Sequence, residues 1–355
     1  MVFVKIILFP VACLYGLFME LRNKLFDWKI LPTKKFDTPV ISVGNLSAGG
    51  TGKTPHTEYL AGLLKNHYKI AILSRGYGRK TKGFIIASSE HSAGKIGDEP
   101  VQYQRKYPDM VIAVDESRKR GITRILAEKP DTEIVLLDDA FQHRYVKPGK
   151  SILLTDYHHL YSNDYLLPTG LLRERSKGAR RADIIVVTKT PRILSPITRR
   201  NIEKELKIKP YQRLYYSYVG YESPVPLKVC GNLPTAALKY NYIIMVAGVA
   251  NSYPFQEYLK SICNELIVID FKDHHDYTSA DFGKILKEFD SIISKDKVIF
   301  TTEKDATKLD KEEFSAYLDR LPVYYVPIRI RFHDCDELKF EKLILDYVQK
   351  SIRSR

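Results

Sequence analysis

The chain is poor in cysteine. Its 355 residues include four, Cys13, Cys230, Cys263 and Cys335, none at the short spacing of a zinc knuckle or a redox dithiol. A disulfide framework and a cysteine-built metal site are thereby set aside, and reduced thiols in a reducing compartment are expected. Internal repeats and low-complexity stretches are also missing. No apolar run reaches the roughly 20 residues of a bilayer-crossing helix, which excludes a polytopic membrane protein. With 44% hydrophobic and 28% charged residues, the composition is that of a packed globular chain, not a disordered tail or a fibre. The length corresponds to about two domains of ordinary size.

Acidic residues are outnumbered. Lys and Arg total 56 against 42 Asp and Glu, a net charge of +14. Such an excess favours anionic partners: nucleic acid, phosphorylated small molecules or an anionic membrane face. The basic residues are dispersed and no nucleic-acid-binding module is recognisable, so nucleic acid is not an expected partner.

The amino terminus, residues 1–35, holds the longest apolar run. IILFPVACLYGLFM, from Ile6 to Met19, carries no charge and is followed by Arg22, Lys24, Lys29, Lys34 and Lys35. No small-x-small cleavage site follows, which argues against a removed signal peptide. The run predicts an apolar helix lying in or dipping into a bilayer, its basic flank on the anionic cytoplasmic leaflet. The alternative is an apolar helix packed on the protein itself or on a partner.

From Thr38 onward, continuous apolar runs alternate with amphipathic stretches. The runs are Pro39–Gly44, Lys69–Ser74, Met110–Asp115, Glu133–Asp139, Ser151–Asp156 and Asp183–Lys189. Runs without polar alternation fit parallel strands covered on both faces, hence an α/β sheet over residues 36–212. Residues 213–239 open with a tyrosine- and valine-rich stretch, Arg213–Val229, punctuated by Gly220 and Pro224, which reads as a two-stranded ribbon. The alternation resumes over 240–355, with strands expected at Tyr242–Asn251, Leu266–Asp270, Val298–Asp305 and Val323–Ile330. The expected fold is a parallel-sheet α/β domain and a smaller α/β domain, joined by the ribbon and preceded by the apolar helix.

The strongest chemical signal follows the first strand. Ser47-Ala48-Gly49-Gly50-Thr51-Gly52-Lys53-Thr54 precedes an amphipathic stretch from Pro55. Strand, glycine-rich loop, GKT and helix is the phosphate-loop arrangement, so the first domain is expected to be a P-loop NTPase-type parallel sheet. The loop's backbone N–H groups ring the phosphates, the lysine reaches terminal phosphate oxygens and the threonine hydroxyl meets Mg²⁺. Ser47 stands where the usual pattern has its leading glycine.

Several acids stand at expected strand ends, where α/β proteins collect ligands. Asp138 and Asp139 close the run IVLLDD, the position of a Mg²⁺-holding acid. Gly97-Asp98-Glu99-Pro100 follows the glycine-rich Arg75–Arg79, and is either a helix start or a source of a proton-accepting or metal-holding carboxylate. Asp273-His274-His275 follows a strand of the second domain, either as a solvated turn or as a metal or acid–base group. Thr301–Asp305 is a further strand-end cluster, for which helix capping by Thr302 or Asp305 is the plain reading. Arg173, Arg175, Lys177, Arg180 and Arg181 fall within nine residues and suit a lid over transferring phosphates, or a basic solvated face.

Two missing motifs narrow the nucleotide. The guanine-reading Asn-Lys-x-Asp is replaced by Thr188-Lys189-Thr190-Pro191, which favours ATP. The lysine that dimeric deviant-loop ATPases place before Gly-Gly is here Ala48.

In order along nearly the whole chain, Val43–Pro55, Leu73–Arg79, Gly97–Pro100, Leu137–Arg144, Leu166–Glu174, Arg180–Lys189, Ala247–Asn251, Asp273–Tyr277 and Thr301–Leu309 resemble the tetraacyldisaccharide 4'-kinases of lipid A synthesis. Ala140 departs from them, since the family usually has glycine there. The resemblance implies transfer of the ATP γ-phosphoryl group to the 4'-hydroxyl of an acylated glucosamine disaccharide 1-phosphate. It further implies a site between two α/β domains, with Asp98 as base and His274 as its partner. Lys53 and Arg173 are the expected phosphate-neutralising residues. The Mg²⁺ ligands are expected among Thr54, Asp138, Asp139, Glu99 and Glu174. The expected protein is a monomer on the cytoplasmic face of a bacterial inner membrane. A membrane-associated P-loop ATPase acting as a conformational switch is the alternative.

Overall fold

A computed structural model describes residues 2–228, 239–249, 251–273 and 275–354. The chain divides into two compact units, one formed by Met1–Val219 with Ile330–Arg355 and one by Gly220–Arg329.

The first unit is built on strands β1 (Val40–Asn45), β2 (Ile70–Ser74), β3 (Ile85–Ile86), β4 (Val111–Val114), β5 (Ile134–Leu137), β6 (Lys150–Asp156), β7 (Ile184–Thr188) and β8 (Arg213–Tyr221). The second holds β9 (Val225–Pro226), β10 (Tyr240–Ala247), β11 (Cys263–Asp270), β12 (Lys297–Thr302) and β13 (Val323–Val326), after which β14 (Ile328–Phe332) leads back to the first. The first sheet runs β14-β8-β7-β6-β1-β5-β2-β4-β3. From β8 to β4 every neighbouring pair is parallel, and β3 closes the edge antiparallel to β4. Every residue of β1, β2, β5 and β7 is buried, as continuous apolar runs require when helices cover both faces. One face packs around Ile41, Leu60, Ile72, Leu136 and Ile344, the other around Leu73, Ile122 and Val135 and around Leu153, Ile185 and Val187. Because the central strands are parallel, the loops that follow β1, β2, β4, β5, β6 and β7 emerge at one sheet edge.

The second unit has the order β11-β10-β12-β13-β9, parallel except for the antiparallel pair β13/β9. Its two faces gather Ile244, Phe282 and Phe314 on one side and Ile243, Leu259 and Phe300 on the other.

Three expectations change. Of the stretch 213–239, residues 229–238 lie outside the described residues; in the rest, β8 joins β7 in the first sheet and β9 joins β13 in the second, so these two strands do not pair with each other as a ribbon. The single strand expected at Val323–Ile330 is two, parted at Pro327, which has no N–H for a ladder. The carboxyl-terminal helix Asp336–Arg353 does not complete the second unit. Phe340, Ile344 and Val348 recur every fourth residue and bury in the first unit's core with Ile41 and Ile152.

The amino-terminal helix Val2–Asp27 contains Pro10 and extends beyond the apolar run to about 39 Å. Among the described residues, no helix is long and apolar enough to cross a membrane. One face of it packs on the first unit through Ala12, Gly16 and Phe26. A Cβ at Gly16 would lie 2.5 Å from Leu166 Cδ1, so the small residue allows the close approach. The opposite face leaves Ile7, Val11, Leu14, Phe18 and Leu21 each more than half exposed. The helix thus packs on its own protein along one stripe and is apolar along the other.

Candidate phosphoryl-transfer site

The loop after β1 is shaped by its glycines. Gly49 has φ +121° and Gly52 φ +83°, conformations a Cβ would strain. Positions 49 and 50 face open space, with no heavy atom within 4 Å of where a Cβ would sit. Asn45, the last residue of β1, donates from Nδ2 to Thr51 Oγ1 at 2.8 Å and closes the loop across its base. Thr188, the last residue of β7, donates to Thr51 O at 3.0 Å. Along the other side lies the segment Leu171–Arg173. Ala48 N donates to Leu171 O at 2.6 Å, and Arg173 N to Leu46 O at 2.7 Å. The Ala48 amide is therefore engaged within the protein rather than turned to the loop's mouth.

Lys53 opens the helix Lys53–Leu64 and folds back over the loop. Its Nζ donates to Gly49 O at 3.4 Å and lies 3.9 Å from Asp139 Oδ2. Asp139 also accepts two hydrogen bonds from Arg173 Nη1, at 2.9 and 3.0 Å. Burial raises the Asp139 pKa, but the charges of Lys53 and Arg173 outweigh it and hold the carboxyl below its ordinary value. Asp139 is therefore an anion that draws two cations together beside the loop.

Asp138 is different. It is fully buried, one oxygen accepts from Tyr103 Oη at 3.1 Å, and Oδ1 has no hydrogen-bond partner. Burial and the adjacent Asp139 push its pKa up, against Lys53. A buried carboxylate oxygen without a donor is costly, and a divalent cation approached through Thr54 and phosphate oxygens would satisfy it. Among the described residues, no group of three or more His, Cys, Asp or Glu is arranged to hold a metal. A P-loop Mg²⁺ does not require one, because phosphate and water complete its octahedron.

Two residues that the sequence reading passed over hold this acid pair. Arg118, 2% exposed, donates to Asp115 O at 2.7 Å and to Asp138 O at 2.9 Å. It thereby pins the peptide that leads into Asp139, whose φ is +46°. Burial lowers its pKa to about 10, which still leaves it charged at neutral pH. Tyr103, also fully buried, is the Asp138 donor. The one cue for Arg118 was its position after a strand end, and the flanking Lys119 and Arg120 obscured it. Tyr103 gave no cue.

Asp98 begins the helix Asp98–Lys106, at the same sheet edge. Buried Glu58 ties that helix to the loop helix: it accepts from Gln102 at 2.8 Å and Lys106 at 2.6 Å, and its carbonyl accepts from Tyr107 at 2.9 Å. Gly97 has φ +97°, and a Cβ there would sit 2.9–3.0 Å from the backbone of Tyr77 and Gly76. The turn before Asp98 is thus pressed onto the glycine-rich loop after β2. Glu99 lies on the same first turn, and its charge acts on Tyr103.

Glu174, expected among the metal ligands, is engaged within the protein. It is buried, and its oxygens accept from Arg181 at 2.7 Å, Gln142 at 3.2 Å and Asn23 at 2.9 Å. With both oxygens engaged, it anchors the amino-terminal helix and the arginine segment. The basic cluster separates accordingly: Arg173 reaches Asp139, Arg181 reaches Glu174, and Arg175 pairs with Glu20 at 2.9 Å. In the second unit, Thr302 accepts from Asp305 N at 3.1 Å, so capping accounts for that cluster. His274 lies outside the described residues. Its neighbours are held by Lys304 on Asp273 at 3.0 Å and by His275 on Asp281 at 3.0 Å.

A glycine-rich loop between a buried parallel strand and a helix, its lysine bent over it and an acid pair on the neighbouring strand, defines a P-loop nucleotide-binding protein. The sequence family LpxK, tetraacyldisaccharide-1-P 4'-kinase, matches residues 4–349. The tetraacyldisaccharide 4'-kinase of Bacteroides thetaiotaomicron is 44% identical over 98% of this chain and 94% of its own length. That of Flavobacterium johnsoniae is 43% identical over 98% of both. A crystal structure of the "apo" form of LpxK from Aquifex aeolicus in complex with ATP superposes with a TM-score of 0.74, at 31% identity over 97% of this chain and 99% of that one. The chain belongs to the tetraacyldisaccharide-1-P 4'-kinase family, as its motifs indicated.

Proposed function

We infer that the chain transfers the γ-phosphoryl group of ATP to the 4'-hydroxyl of a tetraacylated glucosamine disaccharide 1-phosphate, giving the 4'-phosphorylated lipid A precursor. The observation that carries this reading is the convergence of Lys53 and Arg173 on Asp139 at the wall of the Ser47–Thr54 loop. Phosphoryl transfer needs alignment and charge neutralisation above all. Lys53 and Arg173 supply two cations beside the loop, and Asp139 holds them there without neutralising the pair. The open positions at Gly49 and Gly50 leave the backbone accessible to phosphate oxygens. Thr54 and Asp138 are the residues that would hold Mg²⁺, whose charge would offset that of the phosphates.

Asp98 is the proposed base. A sugar hydroxyl has a high pKa, so a carboxylate need take its proton only late in the transfer, with His274 orienting or relaying from it. For the acceptor, the first unit has a cavity of about 760 Å³ whose lining includes Arg22, Lys82, Arg118, Arg120 and His143 together with one carboxylate, Glu116. It borders the amino-terminal helix, so an anionic sugar phosphate could enter while its acyl chains follow the helix's apolar stripe. In this reading the stripe and its basic flank rest on the cytoplasmic face of the inner membrane, with the protein a monomer.

The test is purified protein with Mg-ATP and the acylated disaccharide phosphate. Lipid-dependent appearance of the 4'-phosphorylated product is expected. ATP hydrolysis with no phosphorylated lipid would replace the kinase with a conformational-switch ATPase.

A further inference from the structure

Gly52 and Lys53 share one peptide group, and its orientation decides whether the Lys53 N–H is available to a phosphate. The Gly52 carbonyl accepts twice: from His56 N at 3.2 Å and from the His56 ring Nδ1 at 2.7 Å. The same ring's Nε2 lies 3.0 Å from Ser217 Oγ on β8. Ser217 O in turn accepts from Thr190 N and Thr190 Oγ1, both at 3.0 Å. Thr190 Oγ1 is 2.7 Å from His333 Nε2. All four side chains are buried.

A carbonyl can only accept, so Nδ1 carries the His56 hydrogen, Nε2 is the acceptor and the Ser217 hydroxyl donates to it. We propose that His56 is a positioning residue for nucleotide binding: held by Ser217, it fixes the Gly52 carbonyl along the helix and so aims the Lys53 N–H at the β- and γ-phosphates. The physical basis is the planar trans peptide, in which C=O and N–H point in opposite directions. Gly52 needs this support. It is the helix's N-cap residue in a left-handed conformation with no side-chain cap. The proposal rests on the phosphate-loop reading of residues 47–54.

The experiment compares His56→Leu, His56→Asn, His56→Gln and Ser217→Ala in steady-state kinetics with both substrates varied. Asn keeps a donor near the Nδ1 position, Gln near Nε2. Loss of one buried hydrogen bond predicts a rise in KM for ATP of about tenfold in His56→Leu, with kcat and the lipid KM changing little. His56→Asn should recover most of that loss, His56→Gln less, and Ser217→Ala should shift the ATP KM in the same direction as His56→Leu. Thermal melts with and without Mg-ATP separate folding from binding, since a positioning defect shrinks the nucleotide-induced shift in Tm. If His56→Leu and Ser217→Ala fold but keep the wild-type ATP KM, or if Asn and Gln behave like Leu, His56 has no such role. Lys53→Ala distinguishes the two levels: normal ATP binding in that variant removes the phosphate-loop reading, whereas its loss beside an unaffected His56→Leu removes only this proposal.

Discussion

The guanidinium of Arg173 donates one nitrogen, Nη1, to both carboxylate oxygens of Asp139, at 2.9 and 3.0 Å. The arginine comes from a segment laid along the phosphate loop, the acid from the end of the adjacent strand β5. Lys53 lies 3.9 Å from the same carboxylate, so one anion sets the resting positions of two cations. Asp139→Asn removes the charge while keeping the shape. It should lower kcat about a hundredfold, the scale of removing one transition-state electrostatic contact. Arg173→Lys should recover part of the Arg173→Ala loss in kcat. Equal rates for the two arginine variants would show that charge at this position is not used.

Asp98 is expected to act on the acceptor rather than on the nucleotide. Asp98→Ala should reduce kcat by about two to four orders of magnitude, the range of a general base, with little change in ATP affinity. A variant that loses ATP binding and keeps its turnover would remove Asp98 from the role of base.

The turn that presents Asp98 depends on Gly97. Alanine there meets a positive φ and the backbone of Gly76 and Tyr77 at 2.9–3.0 Å. Backbone neighbours cannot move aside as a side-chain end can, so the helix start must shift. Gly97→Ala should cut kcat while the loop's ATP affinity changes less, since misplacement of about 1 Å can cost a hundredfold in rate. Wild-type kcat in this variant would show that the turn's position does not matter.

The pH dependence of stability should carry the signature of His56. Its folded pKa is about 4 against an ordinary 6.5. Above pH 6.5 the ring is neutral folded or unfolded, and contributes nothing to the pH dependence. Between 6.5 and about 4 the unfolded chain binds a proton that the folded chain refuses. Stability therefore falls as pH drops through that window, by at most about 1.4 kcal/mol per pH unit. Tm measured from pH 7.5 to 4.5 should fall less steeply in His56→Leu than in wild type. Parallel curves would mean that the ring is solvated and protonates freely in the folded protein.

The exposed stripe of the amino-terminal helix gives a prediction independent of catalysis. Leu14→Glu with Phe18→Glu places two charges on the outward face, away from Ala12 and Gly16. Sedimentation with anionic vesicles should show loss of binding, while ATP affinity is retained. Undiminished vesicle binding would assign the stripe to another partner.

The sequence alone determined what is encoded locally. Buried parallel strands read as unbroken apolar runs because both faces are covered, and six such runs lie within a residue or two of β1, β2, β4, β5, β6 and β7. The phosphate loop was legible because its glycine conformations and its lysine are adjacent along the chain. Tertiary structure decided whatever depends on partners far apart in sequence. Arg118 beneath Asp138, Tyr103 on its carboxylate, and His56 between Gly52 and Ser217 span 20, 35 and 161 residues, separations that no local pattern records. The same holds for Glu174, whose oxygens meet Arg181, Gln142 and Asn23. It holds too for the carboxyl-terminal helix, whose apolar stripe fits any core and was assigned to the first unit only by folding.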